Sequence, residues 1–201
     1  MIRNIIFDMG AVLMDFNPRA FVDRLDLPEE DKVVLMNGVF RNRNWALLDF
    51  GEFTEEEALV HMKKDIPERL WSYADDLVAH WDDPILPIEG MADLVRRLKE
   101  AGYGIWLLSN AGPRHDEYWP KIPGSEYFDG KVVSAYIRMY KPQKQIYEYT
   151  LQKLGLKAEE CVFIDDQNTN CAAAWMCGID SIVFRGVQEL EAELARRDIR
   201  Y

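Results

Sequence analysis

The 201-residue chain is short of positive charge. It carries 24 lysines and arginines against 35 aspartates and glutamates, a formal net charge of −11. Sequence-independent binding to nucleic acid needs a basic footprint, so the composition argues against that class of function. An anionic substrate stays open, because one lysine, one arginine or a metal ion reverses the field inside a cleft. Cysteine is scarce as well. Cys161, Cys171 and Cys177 form an odd set without paired spacing, which speaks against a disulfide framework and for a reduced, cytoplasmic setting. Free cysteines bury readily, and these three read as small core residues. No apolar run approaches the ~18 residues that a membrane span needs. The first residues read straight into a strand, so no signal peptide is expected. Internal repeats and low-complexity segments are lacking too.

What remains is a globular composition, 48% hydrophobic and 29% charged, on a chain long enough for one substantial core and a smaller accessory unit. Residues 3–8 read as a buried strand from their apolar, β-branched run. Residues 17–84 differ: they are helix-rich, charged and amphipathic, with Trp45, His61, Trp71 and His80 spread among them. Thr54 followed three residues later by Glu57 is a capping-box pattern and predicts a helix start. Asp82-Asp83-Pro84-Ile85-Leu86-Pro87 breaks that region with two prolines. From residue 90 helices and strands alternate. Helices are expected at about 90–101, 144–154, 168–177 and 187–197, and strands at 103–108, 161–165 and 179–184. Such alternation predicts an α/β fold, a Rossmann-like parallel sheet flanked by helices. The first strand is separated from the rest by the helical region. The expected organisation is therefore a discontinuous core of residues 1–16 and 85–201 with an inserted helical cap of residues 17–84.

Four places in this pattern carry chemistry. Asp8 closes the apolar run Ile5-Ile6-Phe7. Ser109-Asn110 follows Ile105-Trp106-Leu107-Leu108. Lys141 precedes Pro142, and Asp165-Asp166 follows Cys161-Val162-Phe163-Ile164. Open α/β sheets bind ligands at the carboxyl ends of their strands, where these residues are expected. Each has two readings. Asp8 is either a turn aspartate or a nucleophile that accepts a phosphoryl group. The adjacent acids Asp165 and Asp166 repel each other, and a bound cation keeps both ionised. Hard carboxylate oxygens suit Mg²⁺; a polar loop capping the next helix explains the same pair. The residue before a proline is biased away from the helical region, so Lys141 is expected in a loop, either reaching a phosphate or solvated. Ser109 and Asn110 either bind an anion or cap a helix.

The order Asp8, Ser109, Lys141, Asp165-Asp166 resembles the four motifs of the haloacid dehalogenase-like hydrolase superfamily, along the whole chain. The insert between the first two motifs matches the cap position of that family's first subclass. Asp15 fits the first-motif pattern, and Gly51, Thr54 and Glu57 look like the helix-start pattern of such caps. The resemblance implies that Asp8 is the phosphoryl-accepting nucleophile and that Ser109, Asn110 and Lys141 bind the phosphoryl group. It implies Mg²⁺ held by Asp8, Asp166 and the Gly10 carbonyl, with Asp165 beside them. The implied substrate is a small phosphorylated metabolite, acted on by a monomer or homodimer.

One position departs from the pattern. The family's first motif has a second aspartate, two residues after the nucleophile, that protonates the leaving group; here that position is Gly10. Losing a general acid costs roughly 10²–10⁴ in rate. A branch of bacterial sugar-phosphate phosphatases acting on α-glucose 1-phosphate is similar in more detail. It pairs a glycine at this place with Ser-Asn, a histidine and Trp-Pro, as Ser109-Asn110, His115 and Trp119-Pro120 do here. Two other readings compete: a metal-independent haloacid dehalogenase using the same Asp8, and a catalytically weak binding protein on the same fold. In the insert, Arg41, Asn42, Arg43, Asn44 and Trp45 form a candidate substrate-contact strip.

Overall fold

The computed structural model describes residues Met1–Tyr201. The chain begins with β1 (Asn4–Phe7) and then passes through five helices without a strand: α1 (Pro18–Asp23), α2 (Glu29–Leu35), α3 (Arg43–Phe50), α4 (Glu55–Met62) and α5 (Trp71–His80). It returns through α6 (Met91–Glu100) to β2 (Gly104–Ser109), the short α7 (His115–Tyr118), β3 (Gly130–Val133) and α8 (Ser134–Ile137). The last part is α9 (Lys144–Leu154), β4 (Cys161–Asp165), α10 (Asn168–Met176), β5 (Asp180–Val183) and α11 (Val187–Arg196).

All five strands are parallel, in the order β3-β2-β1-β4-β5. A parallel sheet covered on both faces needs strands that are apolar on both sides. Ile5, Ile6, Phe7 and all of β4 are buried accordingly. The two-residue period of the strand deals them alternately to two cores. Ile5, Phe7, Val162 and Ile164 join one cluster with Leu94 and Leu98 of α6 and Leu190 and Leu194 of α11. Ile6, Cys161 and Phe163 join the other with Ile146 and Tyr147 of α9 and Ala174 of α10. The first cluster continues without a break into the inserted helices through Phe21, Leu35, Leu77 and Trp81.

The helices and strands expected after residue 90 are present, with ends shifted by a residue or so. The capping box is formed: Thr54 Oγ1 accepts the Glu57 N–H at 3.2 Å and Glu57 Oε2 accepts the Thr54 N–H at 2.9 Å. β3 was not expected. Its four residues begin Gly130-Lys131, too short and too polar for an apolar-run signal, and pairing with β2 makes them a strand. Cys161 and Cys171 are buried as expected, whereas Cys177 is only partly so. No helix is long and apolar enough to cross a membrane.

The chain leaves and re-enters the sheet through two segments bonded to each other. Asp15 N–H donates to the Leu86 carbonyl at 2.7 Å, and Ile88 N–H donates to that of Leu13 at 3.0 Å. Phe16 follows the outgoing segment, and Trp81 precedes the incoming one.

Candidate active site

The strand order brings the site together. β1 lies between β2 and β4, with Phe7 level with both Leu107 and Ile164. The next residues therefore meet at one edge: Asp8 after β1, Ser109 at the end of β2 and Asp165 at the end of β4. Asp8 N–H donates to the Ile164 carbonyl at 2.8 Å, which ties the main chain at Asp8 to the end of β4. Beyond it the chain coils around the Met9 carbonyl, which accepts from Val12, Leu13 and Met14 N–H. Gly10 sits in this turn with its carbonyl free of backbone hydrogen bonds.

Lys141 arrives from the loop between α8 and α9 and is 2% exposed. Its Nζ stands 2.7 Å from Asp8 Oδ1 and 2.7 Å from Asp165 Oδ2, and it lies over the Phe163 ring at 5.3 Å. Burial works against the ammonium, but Asp8 and Asp165 together hold its pKa above the ordinary lysine value. Burial pushes the Asp8 carboxyl upward, Lys141 opposes this and Asp165 adds to it. Asn110 bonds the Lys141 backbone with both ends of its carboxamide, at 2.8 and 3.0 Å. Asp165, fully buried, accepts from Lys141 Nζ, from Asn170 Nδ2 at 3.0 Å on both oxygens, and from Gln167 N–H at 2.8 Å. Tyr147 in turn donates to the Asn170 carbonyl at 2.9 Å. Ser109 Oγ is buried and has no hydrogen-bond partner.

Asp8, Asp165 and Asp166 each present a carboxylate oxygen, all within 4.8 Å of one another. Three hard oxygens this close fit a divalent cation of the Mg²⁺ type. Asp165 is already occupied by these donors, so Asp8, the half-buried Asp166 and the Gly10 carbonyl are the oxygens left to hold such an ion. Burial, and then Asp165, push the Asp166 carboxyl above its usual range, a cost that a cation removes.

Above this edge lies a cavity of about 170 Å³. Asp8, Gly10, Asn110, Lys141, Gln167 and Asn170 line its polar side. Phe16, Trp45, Trp81 and Tyr118 line the other. Trp81 joins these rings into one cluster: Phe16–Trp81 centroids are 5.3 Å apart, Trp45–Trp81 6.2 Å and Trp81–Tyr118 5.0 Å.

Of the strip Arg41–Trp45, only Trp45 reaches the cavity. Asn42 caps α3 by accepting the Asn44 N–H at 2.9 Å, and Arg41 and Arg43 are exposed. His115 is fully buried, stacked on Trp119 at 5.3 Å, and has no place in the cavity wall. Burial, with Lys131 adding, drives its pKa down to about 4, so it is neutral near pH 7. Phe16, Asp49, Trp81 and Asn170 also line the cavity, although the sequence did not point to them as site residues. Asn170 alone carries a local signal, as an amide five residues after an acidic strand end.

A model of the haloacid dehalogenase-like hydrolase family matches residues 2–178. The sesquiterpene phosphatase astK of Aspergillus oryzae is 26% identical over 180 residues, covering 87% of this chain and 85% of the relative. The (S)-2-haloacid dehalogenase 4A of Burkholderia cepacia is 24% identical over 200 residues, covering 90% and 82%. Among solved structures, a haloacid dehalogenase family enzyme of Bacteroides thetaiotaomicron, crystallised with magnesium and inorganic phosphate, superposes with a TM-score of 0.71. It is 21% identical and the match covers 92% of this chain and 96% of that one.

Proposed function

The chain belongs to the haloacid dehalogenase-like hydrolase family, and we propose that within it the protein is a Mg²⁺-dependent phosphomonoester hydrolase acting on a small phosphorylated metabolite. The observation that carries this reading is the set of three carboxylates within 4.8 Å beside a buried lysine. A dehalogenase needs the nucleophile but has no use for a cation site.

In this mechanism Asp8 attacks phosphorus in line with the departing oxygen and takes the phosphoryl group. Lys141 and the unpartnered Ser109 hydroxyl hold the phosphoryl oxygens. Asn110 acts on the phosphate through its grip on Lys141, and Asp165 through the ammonium it orients. Asp8, Asp166 and the Gly10 carbonyl would hold Mg²⁺, which when bound would offset the charge that Asp8 and the phosphate bring together. Water then hydrolyses the aspartyl phosphate and regenerates Asp8.

Residues 17–84 act as a cap on a core of residues 1–16 and 85–201, and the aromatic wall they help to build selects the alcohol half. Aromatic walls with a few placed polar groups are typical of small-molecule sites. A sugar phosphate such as glucose 1-phosphate suits this wall, which can take the apolar face of a sugar ring.

The test is turnover of glucose 1-phosphate, p-nitrophenyl phosphate and 2-chloropropionate, each with Mg²⁺ and with chelator. Phosphate release that needs Mg²⁺ is expected. Dehalogenation undiminished by chelator would replace this reading, and no turnover of any ester would leave a binding protein.

A further inference from the structure

We propose, on the footing of the phosphatase reading above, that Asp49 is the catalytic residue that protonates the leaving oxygen, so that the inserted segment supplies the acid that position 10 lacks. The cavity wall contains four titratable side chains: Asp8, Asp49, Tyr118 and Lys141. Asp8 is the nucleophile. Lys141 is pinned between two carboxylates at 2.7 Å each. Tyr118 is almost wholly buried, and burial drives its pKa well above the ordinary phenol value. Asp49 is the one group left that can carry a proton to the cavity.

Its setting suits that task. Trp45, Trp81 and Tyr118 line the cavity with it, and no ion pair in the structure includes it. Arg114, which lines the adjoining cleft with Asp49 and Glu55, spends its guanidinium on Glu55 at 2.6 Å and on Asp82 at 3.3 Å. Burial holds the Asp49 carboxyl well above the usual carboxylate range, with the Trp45 side chain pulling the other way. A carboxyl kept protonated by an apolar setting is a recurrent form of general acid.

The residue is also held in place. It lies in the last turn of α3, and Ser134 Oγ donates to its carbonyl while accepting the Ala111 N–H at 2.9 Å. Ser134 thus ties α3 to the loop after β2. Just past the end of α3, Gly51 has φ 79°, and a Cβ there would overlap the Ala135 carbonyl. Only glycine allows this approach of α3 to α8.

The step balances in two halves. As Asp8 forms its bond to phosphorus, the bond from phosphorus to the ester oxygen breaks, and that oxygen takes the proton of the Asp49 carboxyl and leaves as the alcohol. In the second half water attacks the phosphorus of aspartyl phosphate and gives a proton to the Asp49 carboxylate. The Asp8–phosphorus bond breaks, and phosphate departs with Asp8 ionised and Asp49 protonated again.

Asp49→Asn keeps the shape of the side chain and removes the proton. With Mg²⁺ present, turnover of an alkyl ester such as glycerol 2-phosphate should fall about 10²–10⁴-fold, while p-nitrophenyl phosphate, whose leaving group needs no proton, should lose less than about tenfold. Equal losses on both esters, or none, would overturn the proposal while leaving the phosphatase reading intact. A wild-type protein inert to both esters would sink that reading and this proposal with it. The wild-type rate across alkyl phosphates of graded leaving-group acidity is a check that needs no variant. A shallow dependence is expected, and a steep one with chemistry rate-limiting would mean that no acid operates.

Discussion

Asn110 grips Lys141 by the backbone: its carboxamide oxygen accepts the Lys141 N–H at 2.8 Å, and its amino group donates to the Lys141 carbonyl at 3.0 Å. This joins the loop after β2 to the loop before α9 at the point where the ammonium must be aimed. Asn110→Ala should lower kcat about 10²-fold through misplacement of Lys141 and cost about 1–3 kcal/mol of stability. Kinetics with p-nitrophenyl phosphate and urea denaturation check both. An unchanged kcat would show that the grip has no part in turnover.

The two members of the acidic pair should separate by phenotype. Asp166→Ala should raise the Mg²⁺ concentration for half-maximal rate with little loss of stability, because the residue is half-buried and holds only the Gln167 amide. Asp165→Ala removes a fully buried partner of Lys141. Breaking a buried pair in this way costs about 3–5 kcal/mol, and denaturation midpoints should show it.

Asp8→Asn should abolish turnover, by about 10³-fold or more, with the fold retained, since Asp165 still partners Lys141. Circular dichroism with a turnover assay is enough. A folded variant that works at the wild-type rate would remove Asp8 from the mechanism.

His115 should make the protein acid-sensitive. Its folded pKa of about 4 lies below the ordinary 6.5, chiefly through burial. The unfolded chain therefore binds the extra proton first as pH falls. Stability should decline from about pH 6.5 towards pH 4, by about 2–3 kcal/mol. His115→Phe keeps the stack on Trp119 and should flatten that decline in urea titrations at pH 7 and pH 4.5.

Gly10→Asp should fold. Gly10 is not in the left-handed region, and a Cβ there meets only the Phe16 Cβ at an ordinary 3.6 Å. The expected stability change is within about 1 kcal/mol. On the Asp49→Asn background the same change should raise alkyl ester turnover more than aryl, measured as the ratio of the two rates.

Much of the core and its reactive edge is legible in the amino-acid sequence. Asp8, Ser109 and Asp165-Asp166 each sit at or beside a strand end, and a parallel sheet brings such ends together; Lys141, expected at such an end too, instead comes from the loop between α8 and α9, eight residues past β3. β3 is not legible there, because its four residues become a strand only by pairing with β2. His115 stands out in the sequence because its spacing from Ser109 is local information, whereas its burial against Trp119 is not.

Periodicity and strand-end chemistry are local properties of a chain, so the amino-acid sequence alone carries the longer helices and apolar strands after residue 90, their alternation, and most of the chemical inventory at the sheet's carboxyl edge. What that inventory touches follows from packing between segments far apart in the chain. That packing set Lys141 at 2.7 Å from both Asp8 and Asp165, saturated Asp165 with donors from Asn170 and Gln167, and brought Asp49 from α3 into the cavity wall. Asp8, Lys141 and Asp165 meet because the parallel sheet sets β1 beside β4, whereas Asp49 reaches the same cavity only because the inserted helices pack onto that edge.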